Sequence, residues 1–230
     1  MSAALKGISS MATRQVLADL VAAWQAQGGE PVQIESVGGV DAAQRVQSGE
    51  EAFDVVFLAS NAIDTLQAAG RVVEGSKVDL VLSSTAVAVP AAAAQPDIGS
   101  EEAVRAAVLA APSIGYSTGP SGVALQKLFE RWGIADEIKS RIVQARPGVP
   151  VGSMIASGEV ALGFQQLSEL IHVEGIRIVG SLPAAIAIDT VFSAGVVTGS
   201  AHADVVQRLQ AFMASPEAEA AKRRQGMEPA

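Results

Sequence analysis

A chain of 230 residues, 49% apolar and 17% charged, is long enough for one large core or two modest ones and too apolar to remain disordered. Its net charge of -8 excludes a basic face for nucleic acid, and the lack of any cysteine excludes disulfides and thiolate zinc sites. The histidines, His172 and His202, stand in no spaced ligand motif, so no metal or other cofactor is expected; no run of about 18 apolar residues suits membrane insertion.

Short apolar runs alternate with helical stripes from the start, the βαβ rhythm of a mainly parallel sheet flanked by helices. Leu5 to Ile8 reads as the first strand. Ser9 and Ser10 then offer N-cap hydroxyls to a helix whose stripe is Val16, Leu17, Leu20, Val21 and Trp24. Val32 to Val37 is a second strand ending at Gly38 and Gly39, and Ala42 to Gln47 a short helix stopped by Ser48 and Gly49. Asp54 to Leu58 is a third strand, with Ser60 or Asn61 capping a helix that runs to Gly70. The Val-rich segment Val78 to Val89 reads as strands leaving this lobe for a second.

The second lobe repeats the rhythm. A helix at Glu101 to Ala111 precedes a strand at Ser113 to Tyr116 and a helix opened by Gly119, Pro120 and Ser121, with the stripe Ala124, Leu125, Leu128, Phe129 and Trp132. A strand at Arg141 to Gln144, a helix at Val151 to Ala156 and a strand at Ala161 to Phe164 follow. Asp189 to Val197 is a second apolar crossing, and the last helix buries Val205, Val206, Leu209, Phe212 and Met213. The expected division is therefore 1–83 with 193–230, and 84–192, with crossovers near 78–89 and 189–197. The same alternation also admits one continuous doubly wound sheet.

The C-terminal run of Phe212, Ser215-Pro216-Glu217-Ala218, Gly226 and Glu228-Pro229 resembles the ending of molybdate-binding periplasmic receptors of the type II solute-binding superfamily, which has aconitate isomerase among its relatives. The likeness extends through Ile8-Ser9-Ser10-Met11, Asp54 to Ser60, Ser117 to Gly122 and Ser157 to Phe164. It implies two α/β lobes of mainly parallel sheet joined by two crossing strands, with the ligand in the cleft between them. Physical chemistry expects a ligand at the same strand ends, since helix N-termini there supply unpaired N–H groups and partial positive charge to an anion.

Carried over residue by residue, the resemblance makes Ser9 or Ser10, with Met11, the first donors, and Gly119, Pro120, Ser121 and Gly122 the most specific motif. Gly148 and Val149 match a backbone donor, although Pro147 and Pro150 beside them lack N–H groups. Two departures point from a bare oxyanion toward an organic carboxylate: Gly38 and Gly39 replace a second hydroxyl, and Gln165 and Gln166 stand where the receptors have a tyrosine. Arg14, Arg71 and Arg146 are the candidates for a bidentate carboxylate contact, and Ser60 and Asn61 for a polar rim. Glu35 and His172 are weak candidates for proton transfer.

The expected function is binding of a small anion, organic carboxylate or tetrahedral oxyanion, with lobe closure as the signal. The alternative is an aconitate-isomerase-like enzyme moving an allylic proton of a tricarboxylic acid. The expected state is a monomer with no nucleic-acid partner, meeting an ABC transporter permease if exported. The N-terminus shows no charged segment leading into an apolar one, which reads as cytoplasmic, or as periplasmic with a leader removed.

Overall fold

The computed structural model describes residues 4–146 and 148–230; Pro147 and the first three residues, which parts of the reading above include, lie outside them. In chain order, β1 (Leu5–Ser10), α1 (Arg14–Ala26), β2 (Val32–Val37), α2 (Gly39–Ser48), β3 (Val55–Ala59), α3 (Ser60–Ala68) and β4 (Val78–Pro90) come first. Then follow α4 (Glu101–Ala110), β5 (Ile114–Tyr116), α5 (Pro120–Arg131), α6 (Ala135–Ile138), β6 (Ile142–Gln144), α7 (Val151–Ala156), β7 (Leu162–Gln166), α8 (Leu167–Leu170) and β8 (Ile176–Ser181). The chain ends with β9 (Asp189–Val196), α9 (Ala203–Met213), α10 (Glu219–Arg224) and β10 (Met227–Pro229). It divides into two compact units, one reaching Ser83 and resuming at Val191–Ala230, the other Ser84–Thr190. The chain passes from one to the other within β4 and returns within β9.

In the first unit β1 lies between β2 and β3 and is parallel to both, with Ser9 opposite Ser36 and Phe57. β9 runs antiparallel to β3, β4 follows β9, and β10 is antiparallel to β4. The period of two explains why β3 is apolar throughout: Val55 and Phe57 face α1 and α9, while Val56 and Leu58 face α2 and α3. With both faces covered, no position on β3 meets water. Phe57 is 1% exposed, and cutting it to alanine costs about 3–5 kcal/mol.

The second unit repeats this arrangement, with β5 between β6 and β7 and parallel to both. Ile114, Tyr116, Leu162 and Phe164 pack on α4 and α5, while Val151, Met154 and Ile155 of α7 pack on Ala86 and Ala88 from the other side. Phe129 meets Phe164 edge-on at 6.3 Å. The C-terminal half of β4 completes the sheet, antiparallel to both β7 and β8.

Some elements differ from the sequence expectation. β8 carries no strong signal because its residues are only partly buried, so Ile176, Arg177 and Ile178 give too short an alternation. Ser9 is a buried strand residue and not a cap; Ser10 alone caps the 3-10 turn before α1, accepting from the Ala12 N–H. Ala59 is the N-cap of α3, so Ser60 and Asn61 occupy its first turn instead of capping it. Among the described residues no helix is long and apolar enough to cross a membrane.

Candidate functional site

In the first unit three parallel strands end side by side at Ser10, Val37 and Ala59, and a helical segment begins directly beyond each, at or within a residue of the strand's end. β1 is the switch point, because the chain leaves it for β2 on one side and then returns past it to β3 on the other. Neither Gly38 before α2 nor Ala59 before α3 caps its helix with a side chain, so first-turn N–H groups of both helices remain to meet an anion. Ser9 is fully buried, with its Oγ 2.8 Å from Ser36 Oγ. Ser10 Oγ accepts from Ala12 N–H at 3.3 Å, which leaves its own proton to donate outward. Gly39 faces that hydroxyl closely enough that a Cβ would stand 3.6 Å from it. Met11 opens the 3-10 turn that follows, partly exposed. Arg14, exposed at the start of α1, lines a groove of about 320 Å³ with Leu17, Val21, Ile34 and Ser36.

In the second unit β5, β6 and β7 end at Tyr116, Gln144 and Gln166. Gly119 is the extended N-cap of α5 without a side-chain cap, and Pro120 takes the first helical position, where its missing N–H costs nothing. Ser121 is 3% exposed. Gly122 packs so tightly on the turn before it that a Cβ would lie 1.7 Å from the Ser117 carbonyl oxygen. Only glycine lets the helix start this close to the strand end.

At the end of β7 Gln165, 2% exposed, accepts from Gly152 N–H of α7 at 3.1 Å and also hydrogen-bonds Glu169 of α8. Burial pushes the Glu169 carboxyl up to about 7, against the opposing pull of the Gln165 bond. Gln166, on the other face, donates from Nε2 to Thr190 Oγ1 at 2.9 Å. Its Oε1 and the hydroxyl of Thr85, its partner across β4 and β7, are buried with no hydrogen-bond partner among the described residues.

Several expected site residues are committed elsewhere. The Val149 N–H closes a turn onto the Arg146 carbonyl at 3.0 Å and so is not free for an anion; Gly148, at φ 79°, forms that turn, and Arg146 is exposed beside it. The Gln165 amide is occupied at both ends, and Gln166 keeps only an acceptor. Arg71 packs against Gly49 at the C-terminal end of α2, away from the strand ends that carry Ser10 and Gly39. Glu35 is clamped by Arg45 at 2.8 and 2.9 Å, and that guanidinium holds its pKa down, the wrong direction for a base at neutral pH. His172 is exposed on the turn after α8. Glu169 was missed, although the run Gln165-Gln166-Leu167-Ser168-Glu169 sets an acid one turn beyond a strand-end glutamine.

The family model for bacterial extracellular solute-binding protein matches residues 5–228. A protein of Pseudomonas sp named aconitate isomerase is 40% identical over 182 residues, covering 78% of this chain and 68% of the relative. Among solved structures, the periplasmic molybdate-binding protein of Azotobacter vinelandii superposes with a TM-score of 0.79 at 22% identity, covering 97% of this chain and 98% of that one. The sulfate-binding protein SubI of Mycobacterium tuberculosis H37Rv gives 0.76 at 15% identity, covering 99% and 87%. At such identities the two structures establish a shared fold, that of type II periplasmic binding proteins. The chain belongs to the bacterial extracellular solute-binding protein family.

Proposed function

We propose that this protein binds a small organic polycarboxylate and isomerises it by moving a proton between allylic carbons. The observation that carries this reading is the 40% identity to a relative named aconitate isomerase, over most of both chains. The donor sets agree with a carboxylate ligand. Ser10, the first turns of α2 and α3, and Ser121 with Gly122 in α5 offer hydroxyl and N–H groups, with Arg14 and Arg146 as the cations at hand. Met11, Gly38, Gly39, Gly119 and Pro120 shape the backbone around these donors.

A second reading, binding without chemistry, is favoured by the solute-binding family itself. Its partner is an ABC transporter permease and its compartment the periplasm. In both readings the ligand is an anion.

Thermal shift with citrate, cis-aconitate and trans-aconitate, set against molybdate and sulfate, tests the ligand class. A ligand at 100 times its Kd stabilises the folded state by about 2.7 kcal/mol, so the organic acids are expected to raise Tm by several degrees and the oxyanions to do little. Stabilisation by molybdate or sulfate alone contradicts the carboxylate reading.

A further inference from the structure

We infer that Glu169 is the residue that takes up and returns the migrating proton, with Gln165 as its positioning residue, an inference that rests on the isomerase reading. Three observations carry it. Glu169 stands one turn past the end of β7, in the strand set whose ends hold the second unit's donors. Gln165 bonds its carboxyl, and Gly152 N–H fixes the glutamine by occupying Oε1 at 3.1 Å, so the amide N–H is what Glu169 receives. Gln165 is 2% exposed and Glu169 is partly buried, so the carboxyl is held against a buried glutamine.

The other acids and bases serve this role less well. Glu35 is tied to Arg45, and Asp54 is tied to the Lys6 N–H, Ser200 and His202, at the amino end of β3. His172 lies on the exposed turn three residues past Glu169 and is the competitor that the test must separate.

The chemistry balances without a co-reactant. The Glu169 carboxylate removes a proton from the methylene carbon, whose C–H electron pair becomes a new double bond to the central carbon. The former double-bond pair then accepts the same proton from the now neutral acid at the far carbon, completing a 1,3 shift. Burial strengthens the base for uptake, since it disfavours the charged carboxylate, and a pKa near neutrality keeps the acid able to return the proton. N–H and hydroxyl donors at the strand ends face the negative charge that spreads over the allylic carboxylates meanwhile.

The test compares wild type, Glu169→Gln, Glu169→Asp, His172→Asn and Gln165→Leu for trans-aconitate conversion by absorbance and for trans-aconitate binding by calorimetry. Glu169→Gln is expected to lose at least about 100-fold in kcat with Kd within about threefold, and Glu169→Asp to recover part of the rate. Wild-type kcat/KM should rise with pH to a plateau above about 7 as the carboxylate forms. That limb should move to higher pH in Gln165→Leu, because the lost bond was lowering the Glu169 pKa. Wild-type rates in Glu169→Gln, or loss of conversion only in His172→Asn, overturn the assignment while leaving the isomerase reading intact. Equal loss of binding and rate in Glu169→Gln assigns the residue to holding the ligand and overturns it too. A wild type that binds trans-aconitate and never converts it removes both the isomerase reading and this one.

Discussion

The two units share one frame and furnish it differently. Each places one strand between two parallel neighbours; in the first unit a helical segment starts just beyond each of the three strand ends, whereas in the second only β7 runs straight into a helix and loops separate β5 from α5 and β6 from α7. In the first unit those ends carry neutral donors only: the Ser9 and Ser36 hydroxyl pair, Ser10, and the uncapped starts of α2 and α3. In the second, a glycine pressed on the Ser117 carbonyl sets α5, and a buried glutamine joins α7 to a carboxyl that titrates near neutrality. The contrast is one of charge: the groups at the first unit's strand ends keep their state across the neutral range, while the second unit places a titrating carboxyl one turn past a strand end.

The sharpest way to break this comparison is a matched pair of glycine substitutions. Gly122→Ala drives a Cβ into the Ser117 carbonyl and is expected to cost about 2–4 kcal/mol, whereas Gly38→Ala meets open space and changes only the N-cap, costing under about 1 kcal/mol. Equal values in urea denaturation would mean that α5 is not set by contact with the strand end.

The next effect is opposite pH dependence. Glu169 has a folded pKa of about 7 against an ordinary 4.5, so the folded state holds the extra proton between these values and stability falls as pH rises through that window. The drop is on the order of 1–3 kcal/mol and should vanish in Glu169→Gln. Asp54 behaves the other way. Burial works against its charge, but the Lys6 N–H, Ser200 and His202 outweigh it and keep its pKa below the usual value. Its contribution is present above about pH 4 and is lost as pH falls through the folded pKa, a loss that Asp54→Asn should remove from the acid limb of the denaturation profile.

The smallest effect is Ser9→Ala, which removes the partner of the partly buried Ser36 hydroxyl and is expected to cost about 1 kcal/mol or less of stability, with anion affinity reduced about tenfold or less. Affinity lost by 100-fold or more would make Ser9 itself a ligand donor.

Much of this frame is legible from pattern alone. The runs at Val55 and Val78 are apolar because both faces of their strands are covered, and the stripes of α1, α5 and α9 follow from one buried face each. What the sequence hides is how polar groups are spent. Periodicity cannot tell that the Val149 N–H turns back onto Arg146, that Arg45 claims Glu35, or that Gln165 faces Gly152 rather than a ligand. Each depends on segments that meet only after folding. Glu169 was hidden for the same reason, since its raised pKa comes from burial, and burial of a first-turn acid on a four-residue helix leaves no periodic trace. The C-terminal signature carries the family resemblance and also has a structural role: Ser215 and Pro216 open a 3-10 turn, and Met227 pairs with Ser83 on β4.

The most direct measurement is a proton NMR time course of trans-aconitate with the protein in deuterated water, at protein concentrations near the ligand's. The isomerase account predicts that cis-aconitate signals grow to equilibrium and that conversion is abolished by Glu169→Gln. Recovery of unconverted, unlabelled trans-aconitate from a protein that it demonstrably stabilises would contradict that account and leave a receptor in its place.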